Sequence, residues 1–292
     1  MTDSPLQNRT VVVTGAARGL GAAVARACAR RGARLALLGL EKPCLDALAA
    51  DLPTPALAVE TDVTDPAALA HAADETRRRL GKPSVVVSNA GVAHGGPFAT
   101  SDPAEWRRVV DVNLTGSAHT ARVFLPDLLD TAGYHLQVAS LASLGAAPLM
   151  SAYCASKAGV EAFTHSLRAE VAHRGVAVGI AYLNWIDTDM IRDADRYPVL
   201  RELRAHMPPP ARRTFPPEDV AARLVRAVER RRTAVYVPGW LRLVQWGRVT
   251  LPPAVVRLSR RELPRLEAEE ALGHTGPLGA GGLADRAADP RQ

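Results

Sequence analysis

Lysine is nearly absent from this chain. Lys42, Lys82 and Lys157 are the only three among 36 lysines and arginines, and arginine is favoured at ordinary helix positions too, which marks a compositional bias. Cysteine is as scarce. Cys28, Cys44 and Cys154 are odd in number and have neither metal-site nor CxxC spacing, so a disulfide framework and a thiolate metal site are both excluded. They read as small core residues of a reducing compartment. Aromatic residues make up only 4% of the chain. The net charge is +6, but the arginines are scattered among acids and form no basic stripe with interleaved aromatics, which argues against a nucleic-acid partner. No apolar run is long enough to span a bilayer. The opening MTDSPLQNRT lacks the apolar core of a signal peptide, and the expected location is cytoplasmic.

What is present is a regular alternation. Hydrophobic residues make up 47% of the 292, enough for a sizeable core. Apolar β-branched runs at 10–15, 33–39, 56–62, 84–91, 134–140, 176–184 and 234–239 predict seven strands. Alanine-rich amphipathic stretches at 19–32, 41–52, 65–81, 102–112, 113–130, 151–175 and 216–232 predict the helices between them. Strands buried on both faces and alternating with helices imply an α/β fold, a Rossmann-type doubly wound parallel sheet. No linker interrupts residues 8–240, which are read as one dinucleotide-binding catalytic domain. Residues 241–274 read as an amphipathic C-terminal extension. The Gly/Ala/Pro-rich end, 275–292, reads as a disordered tail.

Two stretches carry chemistry. The first strand runs into Thr14-Gly15-Ala16-Ala17-Arg18-Gly19-Leu20-Gly21 and then a helix. Glycines there permit a tight turn and close approach of backbone to a phosphate, and the helix offers its N-terminal amides to that anion. Further on, SAYCASKAG (151–159) places one of the three lysines, Lys157, a helical turn after Tyr153, on the same face. An ammonium beside a phenol favours the phenolate, which suggests a proton-transfer pair.

The Gly-x-x-x-Gly-x-Gly spacing after threonine resembles the short-chain dehydrogenases/reductases, in the shorter single-domain branch. The resemblance covers roughly 8–240 and includes, in order, Asp62-Val63, Asn89-Ala90-Gly91, Asn113, Ser140, and Tyr153 with Lys157. It implies an NAD(P)-dependent oxidoreductase interconverting an alcohol and a ketone or aldehyde by hydride transfer. Tyr153 would be the acid/base and Lys157 its tuner and a ribose ligand. Ser140, thirteen residues before Tyr153, would hold the substrate oxygen, and Asn113 would relay protons through a water to the lysine. The resemblance further implies that Asp62 and Val63 bind the adenine, while Ile186 and Thr188 hold the nicotinamide amide. It also implies a homodimer or homotetramer built on helices 113–130 and 151–173.

The cofactor markers at the end of the second strand are absent. Gly39 stands where an NAD-selecting aspartate often stands, and Leu40 where arginine often marks NADP. Arg18 inside the glycine turn favours NADP over NAD, whereas Glu41 is a ribose ligand that argues the other way.

Elsewhere the chain departs from the family. Ser88 replaces the first of two asparagines before Ala90-Gly91, and Leu183-Asn184 replaces Pro-Gly after the sixth strand. The segment 190–215 carries Met190, Tyr197, Leu200, Leu203, Met207 and several arginines. It is either an Arg-rimmed apolar pocket, for a hydrophobic alcohol or ketone with an anionic end, or a solvated lid. Residues 240–263 mix Trp, Leu and Val with Arg. They either touch a membrane surface or pack on the domain or a partner subunit, with Pro252-Pro253 dividing them into two short pieces. Two further functional readings remain open: a cofactor-binding regulator without turnover, and a peripheral membrane protein acting through 240–263.

Overall fold

A computed structural model describes residues 4–268 and 272–288. In chain order the elements begin β1 (Thr10–Thr14), α1 (Gly19–Ala29), β2 (Arg34–Gly39), α2 (Lys42–Asp51), β3 (Ala56–Glu60), α3 (Pro66–Leu80) and β4 (Pro83–Ser88). They continue with β5 (His94–Gly95), α4 (Pro103–Val110), α5 (Gly116–Asp130), β6 (Tyr134–Val138), α6 (Ser151–Val171) and β7 (Ala177–Leu183). Next come α7 (Asp189–Ala194), α8 (Pro198–Ala205), α9 (Pro209–Arg212), α10 (Pro217–Glu229), β8 (Ala234–Val237), α11 (Leu241–Trp246), α12 (Leu251–Ala268), β9 (Gly276–Pro277) and α13 (Gly279–Ala288).

Seven strands form one parallel sheet in the order β3-β2-β1-β4-β6-β7-β8. Successive side chains point to opposite faces, so β1 sends Val11 and Val13 to one core and Val12 to the other. The first core packs against α1, α2 and α10, and the second against α3, α4, α5 and α6. The connections reverse direction between β1 and β4, and the crevice beyond the carboxyl ends of those strands is where an open α/β sheet accepts a ligand.

Three differences from the sequence reading matter. The helices expected at 102–112 and 113–130 are joined by a π-helical turn, Asp111–Thr115, which contains Asn113. In 240–263 the prolines do not divide a helix. Pro252 and Pro253 occupy the first turn of α12, where proline needs no amide donor, and the helix runs on for 18 residues. The third difference concerns the tail. Residues 275–288 are not disordered: β9 pairs antiparallel with β5, and α13 folds back over the domain. Glycines let this segment lie close against the domain. A Cβ at Gly279 would lie 2.7 Å from the Met190 backbone, and one at Gly282 would lie 3.1 Å from Pro277. The rest of that expected tail, 289–292, lies outside the described residues.

Candidate active site

The cavity at the carboxyl ends of β1, β4 and β6 has a volume of about 250 Å³. Gly15, Arg18, Gly19, Leu20, Gly21, Asp62, Val63, Asn89, Ala90, Gly91, Ser140, Tyr153, Lys157, Ile186 and Thr188 all line it. Thus every residue assigned a catalytic or cofactor role from the sequence faces one space, except Thr14 and Asn113. Thr14 is buried and works as a clasp: its hydroxyl accepts from the amides of Asn89 (3.0 Å) and Ala90 (3.1 Å). Asn89 returns the tie by donating from Nδ2 to the Thr14 carbonyl at 3.0 Å. These bonds lock the loop after β4 against the loop after β1.

The glycine turn fits a phosphate. Gly15 and Gly19 have φ of +61° and +51°, a region disfavoured for residues with a Cβ. A Cβ at Gly21 would lie 2.1 Å from the Gly15 carbonyl oxygen. No side chain caps the N-terminus of α1 and no acid lies in its first turn, so its dipole and amides are available to an anion.

Lys157 is buried on α6, and its ammonium donates to the Val138 carbonyl at 3.3 Å. The Nζ atom lies 5.6 Å from the Tyr153 ring centroid. Burial pulls the Lys157 ammonium down from 10.5 to about 8. Burial also pushes the Tyr153 hydroxyl above its usual value, and its hydrogen bond with Ser140 offsets only part of this. The expected depression of Tyr153 by Lys157 is therefore not a property of the protein groups alone, because burial outweighs what lowers the hydroxyl. Ser140 caps the short helical turn 141–143, its Oγ accepting from the Ala142 amide at 3.1 Å.

Asn113 sits behind this group, fully buried. Its Oδ1 accepts from the Val92 amide (2.8 Å), while Nδ2 donates to the Val92 carbonyl (3.0 Å) and to Ser156 Oγ (2.9 Å). Gly91 separates it from the lysine: a Cβ there would lie 3.1 Å from Asn113 Oδ1 and 3.5 Å from Lys157 Nζ. Asn113 thus positions the Gly91-Val92 backbone, and its side chain does not line the cavity.

At the adenosine end, Arg18 does not stand free for a 2′-phosphate. Its Nε donates to Glu41 at 2.8 Å, a second guanidinium nitrogen also reaches Glu41, and Nη1 meets Asp189 at 3.3 Å. Asp62 accepts from Arg108 at 2.9 Å and from the Thr64 amide and hydroxyl, each at 2.8 Å. Burial pushes the Asp62 carboxyl up, but these bonds and the Arg108 charge together hold it below its usual value.

The sequence reading missed the roof of the site. Leu278, Gly279, Gly281, Gly282, Ala284 and Asp285, all in the segment read as a tail, line the same cavity. One side is held by Arg108, whose guanidinium bonds Asp285 at 2.6 Å and 3.0 Å as well as Asp62. The other is held by the Gly279 amide donating to Asp193 at 3.0 Å and by Tyr197 donating to the Thr275 carbonyl at 2.5 Å. Leu278, Ala93 and Ala194 pack with Met150, Tyr153, Met190, Tyr197 and Leu200 into an apolar cluster beside the Tyr153 ring. The Leu203 side chain lies outside the described residues. The segment 190–215 forms helices α7, α8 and α9, and three of its six arginines are held by acids. Arg192 bonds Asp187, Arg196 bonds Asp193, and Arg204 bonds Asp195. No cluster able to hold a metal occurs among the described residues.

The buried lysine generates a prediction with a definite sign. Its folded-state value is depressed, so below about pH 8 both folded and unfolded chains are protonated and the full cost of the buried ammonium is present. That cost is relieved as pH rises from about 8 toward 10.5 and corresponds to about 3 kcal/mol. Lys157→Met is expected to raise the urea midpoint at pH 7, and the gain over the wild-type chain should shrink to near zero by about pH 10.5.

Comparison with known proteins identifies relatives of the chain. The family model described as short chain dehydrogenase matches residues 9–197. A protein of Xanthobacter autotrophicus named inactive 2-(S)-hydroxypropyl-CoM dehydrogenase 2 is 33% identical over 77% of this chain and 98% of its own. An acetoacetyl-CoA reductase of Synechocystis is 32% identical over 74% of this chain and 86% of its own. The crystal structure of a short-chain dehydrogenase/reductase from Burkholderia phymatum in complex with NAD superposes with a TM-score of 0.72. It is 28% identical and covers 84% of this chain and 94% of that one. With the parallel sheet, the glycine turn and the Ser140–Tyr153–Lys157 group on one cavity, the chain belongs to the short-chain dehydrogenase/reductase family of oxidoreductases.

Proposed function

We propose that this enzyme interconverts a hydrophobic secondary alcohol and its ketone, with Tyr153 as the acid/base. The observation that carries the reading is the meeting of Ser140, Tyr153 and Lys157 on one cavity beside the apolar cluster of Leu278, Met190, Tyr197 and Leu200. Bound NAD(P) supplies or accepts the hydride at the substrate carbon. In the reductive direction the Tyr153 hydroxyl gives its proton to the substrate oxygen, and in the oxidative direction the phenolate takes it back. Ser140, fixed by the Ala142 amide, donates its hydroxyl to the same oxygen and stabilises the charge that develops there. Lys157 spends one donor on Val138, leaving two for ribose hydroxyls and for the field beneath the tyrosine ring. Asn113 keeps the Gly91-Val92 backbone in place.

For the cofactor, the Arg18–Glu41 pair favours NAD over the NADP read from Arg18 alone. A 2′-phosphate would meet a carboxylate already bonded to the only arginine in the glycine turn, whereas a free 2′-OH can donate to Glu41. A homodimer or homotetramer through the outer faces of α5 and α6 remains part of this proposal. Arg248 and Gln245 from the extension bond Glu161 of α6, so the extension shares that helix's surface.

A second reading, cofactor binding without turnover, is kept by one observation, the word "inactive" in the name of a relative at 33% identity. Tyr153→Phe separates the two. On a panel of hydrophobic ketones with NADH and NADPH, the wild-type chain is expected to turn over. The variant should lose roughly 10²–10⁴ of kcat with cofactor affinity retained. No turnover by the wild-type chain, with cofactor still bound, would establish the second reading.

Two more outcomes are expected. NADH should bind more tightly than NADPH, and Glu41→Ala, which removes the carboxylate from the expected ribose site and leaves Arg18 held by Asp189 alone, should move the preference at least about tenfold toward NADPH by nicotinamide fluorescence. Asp285→Asn weakens the hold of Arg108 on the roof. Stopped-flow NADH association and dissociation should both quicken, by about tenfold for the loss of one charge-assisted bond.

A further inference from the structure

The segment that follows the last sheet strand has two faces, and only one is used within the chain. Leu241 is fully buried, and Trp240, Val244 and Leu251 pack with it against Ile180 and Tyr182. Arg248 and Gln245 bond the buried Glu161 at 3.0 Å and 3.1 Å, fixing the segment to α6. Further along, His206 meets Glu262 of α12 at 3.2 Å, and Leu266 is buried.

The opposite face is open. Of six large apolar side chains exposed among the described residues, four are Leu243, Trp246, Val249 and Val256, exposed by 75%, 84%, 79% and 50%. Leu243 and Trp246 are three apart on α11, so they project from the same side. Between 240 and 261 the sequence holds five arginines and no carboxylate. Arg248 is committed to Glu161, whereas Arg242, Arg257, Arg260 and Arg261 are exposed and have no acidic partner among the described residues. On α12, Val256 and Arg260 lie one turn apart on the same side, and Arg257 and Arg261 are exposed beside them.

We propose that the outer face of α11 and α12 docks on an anionic lipid surface, with Leu243, Trp246, Val249 and Val256 entering the headgroup boundary and the four arginines meeting lipid phosphates and carboxylates. Exposed apolar side chains flanked by arginine, with a tryptophan among them, match the interface between water and acyl chains. Charge decides between this occupant and a second copy of the chain. A two-fold contact on the patch would set unpaired arginines of one copy against those of the other, whereas an anionic leaflet neutralises them. Attachment is peripheral, since no described helix is long and apolar enough to cross a membrane.

The test is flotation of the full chain with vesicles of phosphatidylcholine alone and of phosphatidylcholine mixed with phosphatidylserine. Each basic residue near an anionic surface contributes roughly fivefold, so binding to the mixed vesicles should be at least tenfold tighter. Leu243→Ser/Trp246→Ser/Val249→Ser should abolish flotation, and Arg257→Gln/Arg260→Gln/Arg261→Gln should remove the preference for phosphatidylserine. Both variants change exposed side chains, and unaltered cofactor titration would report an intact fold. The proposal is overturned by failure to float with the mixed vesicles, or by flotation that neither variant changes. It is equally overturned by an oligomer in sedimentation velocity that the serine variant dissociates, which would assign the face to a second copy.

Discussion

A buried ammonium is the constraint around which this site is organised. Desolvating Lys157 costs several kcal/mol in a protein interior, and no carboxylate among the described residues neutralises it. The backbone makes room for it instead. The Val138 carbonyl at the end of β6 accepts one proton, Gly91 has no side chain to crowd it, and the Tyr153 ring lies over the charge. Asn113 holds the Gly91-Val92 segment from behind. The π-helical turn between α4 and α5 contains this asparagine and presents it to Val92.

The rest of the cleft follows from how two loops and a strap meet. Thr14 and Asn89 bind the loops after β1 and β4 to each other, and this sets the shape of the glycine turn. Arg108, on α4, joins Asp62 of the adenosine end to Asp285 of the C-terminal helix. A single guanidinium therefore couples the expected adenine site to the roof, and Leu278 in that roof completes the apolar wall beside Tyr153. The cavity and the apolar cluster beside Tyr153 share one cover, made from residues 278–285.

The pattern of the sheet was legible in the residues because it depends on local features. Val11, Val12 and Val13 alternate between cores by the pleat of the strand. The lysine a helical turn after Tyr153 was legible for the same reason, since helix geometry alone places both on one face. Thr14 and Asn113 are the two expected site residues that do not line the cavity. Their spacing marks where they lie along the chain, and says nothing of the amides of Asn89 and Val92 that capture their side chains.

The sequence by itself determined the parallel α/β architecture, the glycine turn after the first strand and the placing of Tyr153 and Lys157 on one helix face, because periodicity and short spacing are properties of the local chain. Tertiary structure alone decided that Arg18 is neutralised by Glu41, that the Gly/Ala-rich end is the roof of the cleft, and that Leu243, Trp246 and Val249 face outward. Each of these depends on residues brought together across the fold. Arg108 and Asp285 are 177 positions apart, and no local pattern records a contact of that range.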